Sequence, residues 1–218
     1  MTAAVARPRA LLFDWDNTLV DSWETIHEAL SQTFAAMGRE PWSLQETKLR
    51  VAKSLRDSFP PLFGERWEEA RRRYLDAFTA IHLARLRAMA GAAEMLQELA
   101  GGGFYLAVVS NKTGAVLRRE AEHLGWTARF SRLVGAGDAA LDKPAAAPML
   151  LALEGSGIAC DEAWYVGDTA LDMECARNAG CRGVLLGARA LEEDSFARFP
   201  PDLHLPGCAA LARHVGGL

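Results

Sequence analysis

The sequence has few cysteines, and they do not follow the pattern of a metal site. The four among its 218 residues are isolated and lack metal-ligand spacing. Half of the residues are hydrophobic, so a chain of this length can bury a sizeable core without disulfides. The expected thiols, buried or half-buried in a reducing cytosol, are Cys160, Cys175, Cys181 and Cys208.

The sequence also lacks long apolar runs and clusters of basic residues. No window approaches the roughly 20 apolar residues of a membrane-spanning helix, and the N-terminal M-T-A-A-V-A-R-P-R has no apolar core of signal-peptide length. The net charge is −4 and the basic residues are dispersed, which leaves no electrostatic footprint for nucleic acid. We therefore expect a soluble, cytoplasmic protein whose partner is neither a membrane nor a nucleic acid.

Reactive polar residues follow four apolar runs that are typical of buried parallel strands. Asp14 and Asp16 follow A-L-L-F, and Ser110 follows F-Y-L-A-V-V. Lys143 comes after the L-V-G-A segment, and Asp168 follows A-W-Y-V-G. Ligands of an open parallel sheet bind outside the carboxyl ends of its strands. We therefore expect these side chains to meet at one edge, where they suit an anion held by a divalent metal, with a phosphoryl group as the first candidate.

A long, mainly helical stretch separates the first strand, Ala10 to Asp14, from the next clear strand, Phe104 to Ser110. Such a stretch exceeds an ordinary crossover, so we interpret residues 20–87 as an inserted helical domain and residues 1–19 and 88–218 as the sheet domain. Apolar periodicity predicts its helices at Trp23 to Met37, Leu44 to Phe59 and Glu65 to Leu86. Asp21 with Glu24 resembles a capping box at the first helix, and Pro60-Pro61 is expected to stop the second.

Helix and strand patterns alternate through the rest of the chain, which is typical of a doubly wound α/β domain with a parallel sheet. The predicted helices are Ala92 to Ala100, Thr113 to Leu124, Pro144 to Leu153 and Leu171 to Ala179. The further predicted strands are Arg132 to Ala136, Ala163 to Val166, Gly183 to Leu186 and Asp202 to Leu205.

Four segments, taken in order, resemble the motifs of the haloacid dehalogenase (HAD) superfamily and are closest to its phosphoglycolate-phosphatase-like branch. They are L-L-F-D-W-D-N-T-L-V-D-S, V-V-S-N-K, D-K-P with an alanine-rich helix, and Y-V-G-D-T-A-L-D-M. The resemblance implies a Rossmann-like core with a helical cap hinged on two linkers above the site. Asn17 stands where the family often has glycine, and asparagine tolerates a left-handed backbone better than most residues.

The resemblance implies that Asp14 is a nucleophile that forms an aspartyl-phosphate. Asp16, two residues on in an extended segment, points to the same side and would act as general acid and then general base. Two carboxylates and a phosphate repel one another, so a metal is required, and hard oxygen ligands favour Mg²⁺. By resemblance its ligands are the Asp14 side chain, the Asp16 backbone carbonyl and the Asp168 side chain.

Substrate contacts are implied for four residues: Thr18, Ser110, Asn111 and Lys143. Ser110 and the Asn111 N–H would bind phosphoryl oxygens at a helix start, while Lys143 would also neutralise charge in the transition state. Asp172, one helical turn after Asp168, would hold Lys143 or a metal-bound water. No role at the site is expected for Asp138, Asp142, His27, His82, His123, His204 or His214.

These residues predict a Mg²⁺-dependent phosphatase for a small phosphorylated metabolite, with phosphoglycolate as the nearest named substrate. A dehalogenase is disfavoured because it needs neither Asp16 nor a metal. A sugar-phosphate mutase uses the same motifs, and a phosphonatase would take its Schiff-base amine from Lys48 or Lys53. The non-enzymatic alternative is a binding protein on the same scaffold.

Overall fold

A six-stranded parallel sheet forms the centre of the computed structural model, which describes residues 6–187 and 196–218. The strands of the chain are β1 (Ala10–Phe13), β2 (Val20–Asp21), β3 (Arg87–Ala88), β4 (Tyr105–Thr113), β5 (Arg132–Ala136), β6 (Ala163–Gly167), β7 (Arg182–Leu186) and β8 (Leu203–Leu205). The sheet order is β5-β4-β1-β6-β7-β8, and every neighbouring pair is parallel. The predicted doubly wound α/β fold is therefore confirmed.

Helices cover both faces of this sheet, which explains why its strands are continuous apolar runs. They are α5 (Ala92–Gly101), α6 (Gly114–His123), α7 (Ala147–Leu153), α8 (Ala170–Ala179) and α9 (Cys208–Gly216). Because side chains of a strand alternate between faces, Leu11 and Phe13 of β1 pack with α5, α6 and α9. Ala10 and Leu12 pack with α7 and α8 on the other face.

Helix α7 begins later than predicted, at Ala147 rather than Pro144. The Ala145 N–H donates to the Asp142 carbonyl and closes a turn there, so Pro144 belongs to the turn. Pro148 instead takes the early helical position in which a missing N–H does no harm. The C-terminal helix α9 is absent from the predicted elements.

Four helices lie between β2 and β3, namely α1 (Trp23–Ala36), α2 (Leu44–Arg50), α3 (Leu55–Phe63) and α4 (Trp67–Arg85). They bury an aromatic-rich core of their own around Phe34, Phe59 and Phe78. We call residues 20–87 the helical segment. The confirmed fold thus includes a helical region early in the chain.

The predicted helix from Leu44 to Phe59 is wrong, since it is two helices broken between Arg50 and Leu55. Ser43 and Glu46 form a capping box at the start of α2, and the backbone turns extended at Val51. Pro60-Pro61 does not stop the second helix, which runs on to Phe63. Gly64 ends it with a φ of 56°, a conformation open to glycine without steric penalty.

A short ribbon joins the helical segment to the sheet domain. Val20 of β2 pairs with Ala88 of β3 in antiparallel register. The first proposed domain boundary falls just before β2, and the second falls within β3, between Arg87 and Ala88. The capping box predicted for Asp21 does not form, because the N-cap of α1 is Ser22, which makes no side-chain cap hydrogen bond. Within residues 6–187 and 196–218, no helix has both the length and the hydropathy needed to cross a membrane.

Candidate functional site

A cavity of about 110 Å³ lies between the carboxyl edge of the sheet and the helical segment. Asp14 enters it just after β1, Ser110 from β4, Lys143 from the loop after β5, and Asp168 just after β6. Asp16, Asn111 and Asp172 also line it. The structure therefore brings together all the predicted site residues except Thr18, which is buried and is not among the residues that line the cavity.

The Lys143 ammonium is the hub of the buried part of the site. Its Nζ lies 2.7 Å from Asp14 Oδ1, 2.7 Å from Asp172 Oδ1 and 2.8 Å from the Tyr165 hydroxyl oxygen. Burial alone would lower the pKa of Lys143, but the Asp14 and Asp172 carboxylates outweigh it and raise that pKa above its usual value. Lys143 is therefore a fixed positive charge between two carboxylates.

The environment of Asp14 disfavours its ionised form. Burial raises its pKa to about 6, against the opposing effect of the Lys143 ammonium. Burial raises the pKa of Asp172, but the Lys143 ammonium and the hydrogen bonds from Thr169 have a larger opposing effect. The pKa of Asp172 therefore lies below its usual value. A positive charge added beside Asp14 would therefore relieve the cost of ionising that carboxyl group.

Three carboxylates converge in a way that fits a divalent cation. One oxygen from each of Asp14, Asp168 and Asp172 lies within 4.8 Å of the other two. With the Lys143 ammonium beside them, three negative charges and one positive charge leave a balance of −2. Oxygen ligands and this charge are what Mg²⁺ prefers in proteins. The predicted set has the Asp16 backbone carbonyl in the place of the Asp172 carboxylate.

Local backbone geometry explains why Asp172 reaches the sheet edge. Asp172 is the third residue of α8, and its Oδ2 accepts from the Thr169 N–H at 3.0 Å and the Thr169 hydroxyl at 2.6 Å. Its Oδ1 thereby remains directed at Lys143. Gly167 permits this approach, because a Cβ there would lie 2.4 Å from the Asp172 Cβ.

The loop after Asp14 turns Asp16 away from Lys143. Asn17 has a φ of 63°, the left-handed conformation expected of an asparagine at this glycine-like position. Its N–H donates to the Val20 carbonyl at 2.6 Å and its Oδ1 accepts from the Ser22 N–H. The Asp16 carboxylate then pairs with a second ammonium, Lys112 Nζ, at 2.7 Å.

Ser110 and Asn111 lie on strand β4, so the expectation that these two residues stand at a helix start is wrong. Strand β4 continues to Thr113, which pairs with Ala136 of β5 after a register shift, and α6 begins only at Gly114. The Ser110 Oγ accepts from the Lys112 N–H at 3.2 Å. A phosphoryl group bound here would therefore meet strand N–H groups and not a helix N-terminus.

The Asn111 side chain ties the helical segment to the Lys143 loop. Its Nδ2 donates to the Ala52 carbonyl at 3.1 Å and to the Lys143 carbonyl at 3.2 Å. Its Oδ1 accepts from the Lys143 N–H at 3.1 Å. The break between α2 and α3 is what brings Ala52, and beside it the exposed Lys53, to the cavity.

Asp142 makes a further contact between the sheet domain and the helical segment, although no role at the site was expected for it. Its side chain is buried, with Oδ1 accepting from the Gly137 N–H and Oδ2 lying 2.6 Å from Arg56 Nε. Arg56 belongs to α3, so this ion pair joins the helical segment to the loop that carries Lys143. Asp142 precedes Lys143 in the D-K-P motif, but nothing in the sequence pointed to Arg56.

The helical segment lines its side of the cavity mainly with apolar side chains. They are Trp23, Ile26, Val51, Leu55, Tyr74, Leu75 and Phe78. Lys53 is the cationic side chain that this segment contributes to the lining, whereas Arg50 does not line it. The cavity therefore has a charged floor and a largely apolar roof.

The role of Lys112 at the site was also not predicted, although this residue belongs to the V-V-S-N-K motif. It is buried beside a carboxylate, Glu120, that is itself fully buried. Glu120 is bound in turn by His82 of α4, so the prediction that His82 has no role beyond packing overlooks an ion-pair network. Burial opposes the positive charge of Lys112, but Asp16 and Glu120 outweigh it and raise the Lys112 pKa.

Known proteins resemble this chain over most of its length. It matches the haloacid dehalogenase-like hydrolase family over residues 11–186. Phosphoglycolate phosphatase of Xylella fastidiosa, strain Temecula1, is 30% identical over 195 residues, which cover 87% of this chain and 85% of that protein. Pyrophosphatase PpaX of Halalkalibacterium halodurans is 28% identical over 206 residues, 94% of this chain and 96% of that protein.

A solved structure matches both the sheet and the helical segment. CbbY from Rhodobacter sphaeroides in complex with phosphate superposes with a TM-score of 0.80 at 22% identity. The match covers 94% of this chain and 96% of that chain. At this level of identity the likeness concerns the fold.

Proposed function

The chain belongs to the haloacid dehalogenase-like hydrolase family, and from that membership and the site geometry we propose that it is a Mg²⁺-dependent phosphatase of a small phosphorylated metabolite. The observation that carries the proposal is the convergence of Asp14, Asp168 and Asp172 at the floor of the cavity, where Lys143 binds Asp14 and Asp172. Asp16 stands at the same cavity with a separate cationic partner. Phosphoglycolate is the substrate we propose first, because phosphoglycolate phosphatases are among its relatives.

The proposed reaction uses Asp14 and Asp16 in two steps. In the first, an Asp14 oxygen bonds to phosphorus, the bond to the leaving oxygen breaks, and protonated Asp16 gives its proton to that oxygen. In the second, water attacks phosphorus, ionised Asp16 takes the water proton, and the bond to Asp14 breaks. Lys143 stays charged throughout and compensates negative charge on the phosphoryl oxygens.

The residues that would hold Mg²⁺ are Asp14, Asp168 and the Asp16 backbone carbonyl, with Asp172 either joining them or holding Lys143. When bound, the cation would neutralise the carboxylates and polarise the phosphoryl group. The cation would thereby lower the free-energy cost of keeping the buried Asp14 carboxylate ionised. Ser110 and the Asn111 N–H would contact the remaining phosphoryl oxygens from strand β4.

The proposed chemistry predicts a sharp dependence on the cation. Hydrolysis of p-nitrophenyl phosphate should proceed with Mg²⁺ and stop with EDTA. Ca²⁺ should bind and inhibit, because it is larger and takes six to eight ligands in looser geometry. Release of p-nitrophenolate in the three conditions provides the measurement. Equal rates with Mg²⁺ and Ca²⁺ would argue against a cation that Asp14, Asp168 and the Asp16 carbonyl hold in the geometry preferred by Mg²⁺, and activity that survives EDTA would argue against any metal.

The helical segment predicts the size of the substrate. It sits over the carboxyl edge of the sheet and contacts the sheet domain through Ala52, Arg56 and His82. A roof of this kind excludes water during phosphoryl transfer and leaves room only for a small leaving group. Phosphate release from phosphoglycolate, sugar phosphates, nucleotides and pyrophosphate should therefore exceed release from a folded phosphoprotein. Faster turnover of the phosphoprotein than of every small ester would contradict this interpretation.

Two related enzymes remain alternatives and differ in readout. A sugar-phosphate mutase would return the phosphoryl group to sugar, so the same panel would give an isomerised phosphate and little free phosphate. A phosphonatase would form a Schiff base through Lys53, which lines the cavity, or through Lys48, which does not line it. Borohydride trapping of a phosphonoacetaldehyde adduct would identify that reaction.

A further inference from the structure

A buried chain of charged side chains runs from Asp16 to the helical segment. Lys112 Nζ lies 2.7 Å from Asp16 Oδ1 and 2.7 Å from Glu120 Oε2. The other Glu120 oxygen, Oε1, lies 2.8 Å from His82 Nδ1. The side chains of Lys112, Glu120 and His82 are 5%, 0% and 1% exposed, so the chain is sealed from solvent along most of its length.

Every oxygen of Glu120 is bound, and one donor comes from the residue between the two catalytic carboxylates. Trp15 Nε1 donates to Glu120 Oε2 at 2.7 Å, beside the Lys112 ammonium on the same oxygen. A carboxylate with no exposed surface would be strongly destabilising without such partners. Because an apolar replacement of a buried ion pair is often neutral or stabilising, packing alone does not explain a charged network at this place.

Each of the two proposed catalytic carboxylates thus has its own ammonium. Lys143 binds Asp14, whereas Lys112 binds Asp16. Asp16 lies in the turn after β1 and keeps 19% of its side chain exposed, so packing leaves it room to move. Its proton transfers require a fixed distance to the leaving oxygen and to the attacking water.

We propose that Lys112 is a positioning residue that holds Asp16 in place for proton transfer, and that Glu120 and His82 make this position depend on the docked helical segment. The inference rests on the proposed function, in which Asp16 is the general acid and base. Helix α4 contributes both contacts from the helical segment, His82 to Glu120 and the Phe78 ring, whose centroid lies 4.8 Å from Lys112 Nζ. Movement of α4 away from the sheet domain would remove both contacts from the Lys112 network.

The experiment compares two phosphate esters of similar size whose leaving groups differ in how much they need to be protonated. The leaving group of benzyl phosphate is a strongly basic alkoxide, whereas that of p-nitrophenyl phosphate is a weakly basic phenolate. In Lys112→Met, kcat/KM for benzyl phosphate should fall by roughly 100-fold or more, which is the scale of general-acid catalysis. The decrease in kcat/KM for p-nitrophenyl phosphate should be several-fold smaller. kcat/KM is used because it reports the first phosphoryl transfer alone.

The matched control is Arg72→Met, an exposed cationic residue of α4, which should change neither value. Equal losses for the two esters in Lys112→Met would overturn the proposal, because a merely structural defect lowers both alike. A wild-type protein that hydrolyses neither ester with Mg²⁺ would instead overturn the proposed function.

A second variant keeps the test valid if Lys112→Met fails to fold. The single change leaves Glu120 buried without its cation, whereas Lys112→Met with Glu120→Gln removes both charges together. The double variant should show the same unequal loss between the two esters. Glu122→Gln, an exposed change on the same helix, is its control. An equal loss in the folded double variant also overturns the proposal.

The link to the helical segment is tested at His82. His82→Leu removes the hydrogen bond to Glu120 and should show a weaker form of the same unequal loss. His82→Gln retains an N–H donor and should restore much of the benzyl phosphate rate. His123→Leu, an exposed histidine on α6, should leave both esters unaffected. Equal losses in His82→Leu, or no recovery in His82→Gln, would overturn the dependence on the docked segment.

Discussion

Asp14→Asn should lower kcat by more than about 1,000-fold, to background with any phosphate ester. The amide oxygen of asparagine neither attacks phosphorus effectively nor ligates Mg²⁺ well. It also deprives the Lys143 ammonium of one of the two carboxylates that hold it. Phosphate release under saturating Mg²⁺ is the measurement, and Asp161→Asn, at an exposed position, is the control. More than a few per cent of wild-type kcat in Asp14→Asn would contradict the covalent mechanism.

Loss of activity in this variant should not come with loss of stability. The folded protein raises the Asp14 pKa from 3.8 to about 6, so the contribution of Asp14 to stability is fully present below the unfolded value of 3.8 and is lost as the pH rises through about 6. At neutral pH and without metal, ionised Asp14 therefore destabilises the fold. Thermal unfolding at pH 7 with EDTA should show Asp14→Asn to be at least as stable as the wild type.

Asp16→Asn should impair turnover by about 100-fold or more, yet leave the nucleophile able to react. With p-nitrophenyl phosphate the leaving group needs little protonation, so Asp14 should still be phosphorylated. The second step lacks its base, because asparagine cannot take a proton from water, and the phosphorylated protein should accumulate. Intact-mass measurement followed by peptide mapping locates the adduct.

The double variant with both Asp14→Asn and Asp16→Asn serves as the control for that trap. It should acquire no phosphate under the same conditions, since the proposed acceptor is gone. A phosphoryl adduct on any residue other than Asp14 would contradict the assignment of the nucleophile.

The fold was predictable because the apolar composition of its strands reflects their burial in the sheet. Strand β5 has the bounds predicted for it, and the apolar run ending at Phe13 places Asp14 at the sheet edge without further information. Strands of two residues, such as β2 and β3, have no periodicity to detect. The break before Leu55 escaped prediction because the apolar spacing continues through it while the backbone does not.

Site residues that directly follow a strand were predictable. Contacts between side chains from elements far apart in the sequence were not. Lys143 could be placed from its own segment and Asp172 was considered as its partner, but its contacts with Asp14 and Tyr165 were not predicted. Glu120 lies on a helix whose pattern gives no reason to expect a buried charge, and His82 is 38 residues away in sequence. Such pairs depend on how the helical segment docks, which short-range patterns do not encode.

The β2–β3 ribbon has a consequence for how such a protein changes over evolutionary time. The chain leaves the sheet domain at Val20 and returns beside it at Ala88, so the insertion can lengthen, shorten or be exchanged without altering the path of the remaining chain. Under the proposed function, new substrate preferences can arise there while phosphoryl chemistry is retained. The Arg56–Asp142 and His82–Glu120 pairs limit this freedom. An insertion taken from another protein would need residues equivalent to Arg56 and His82. Without them, Asp142 and Glu120 would have to be replaced as well.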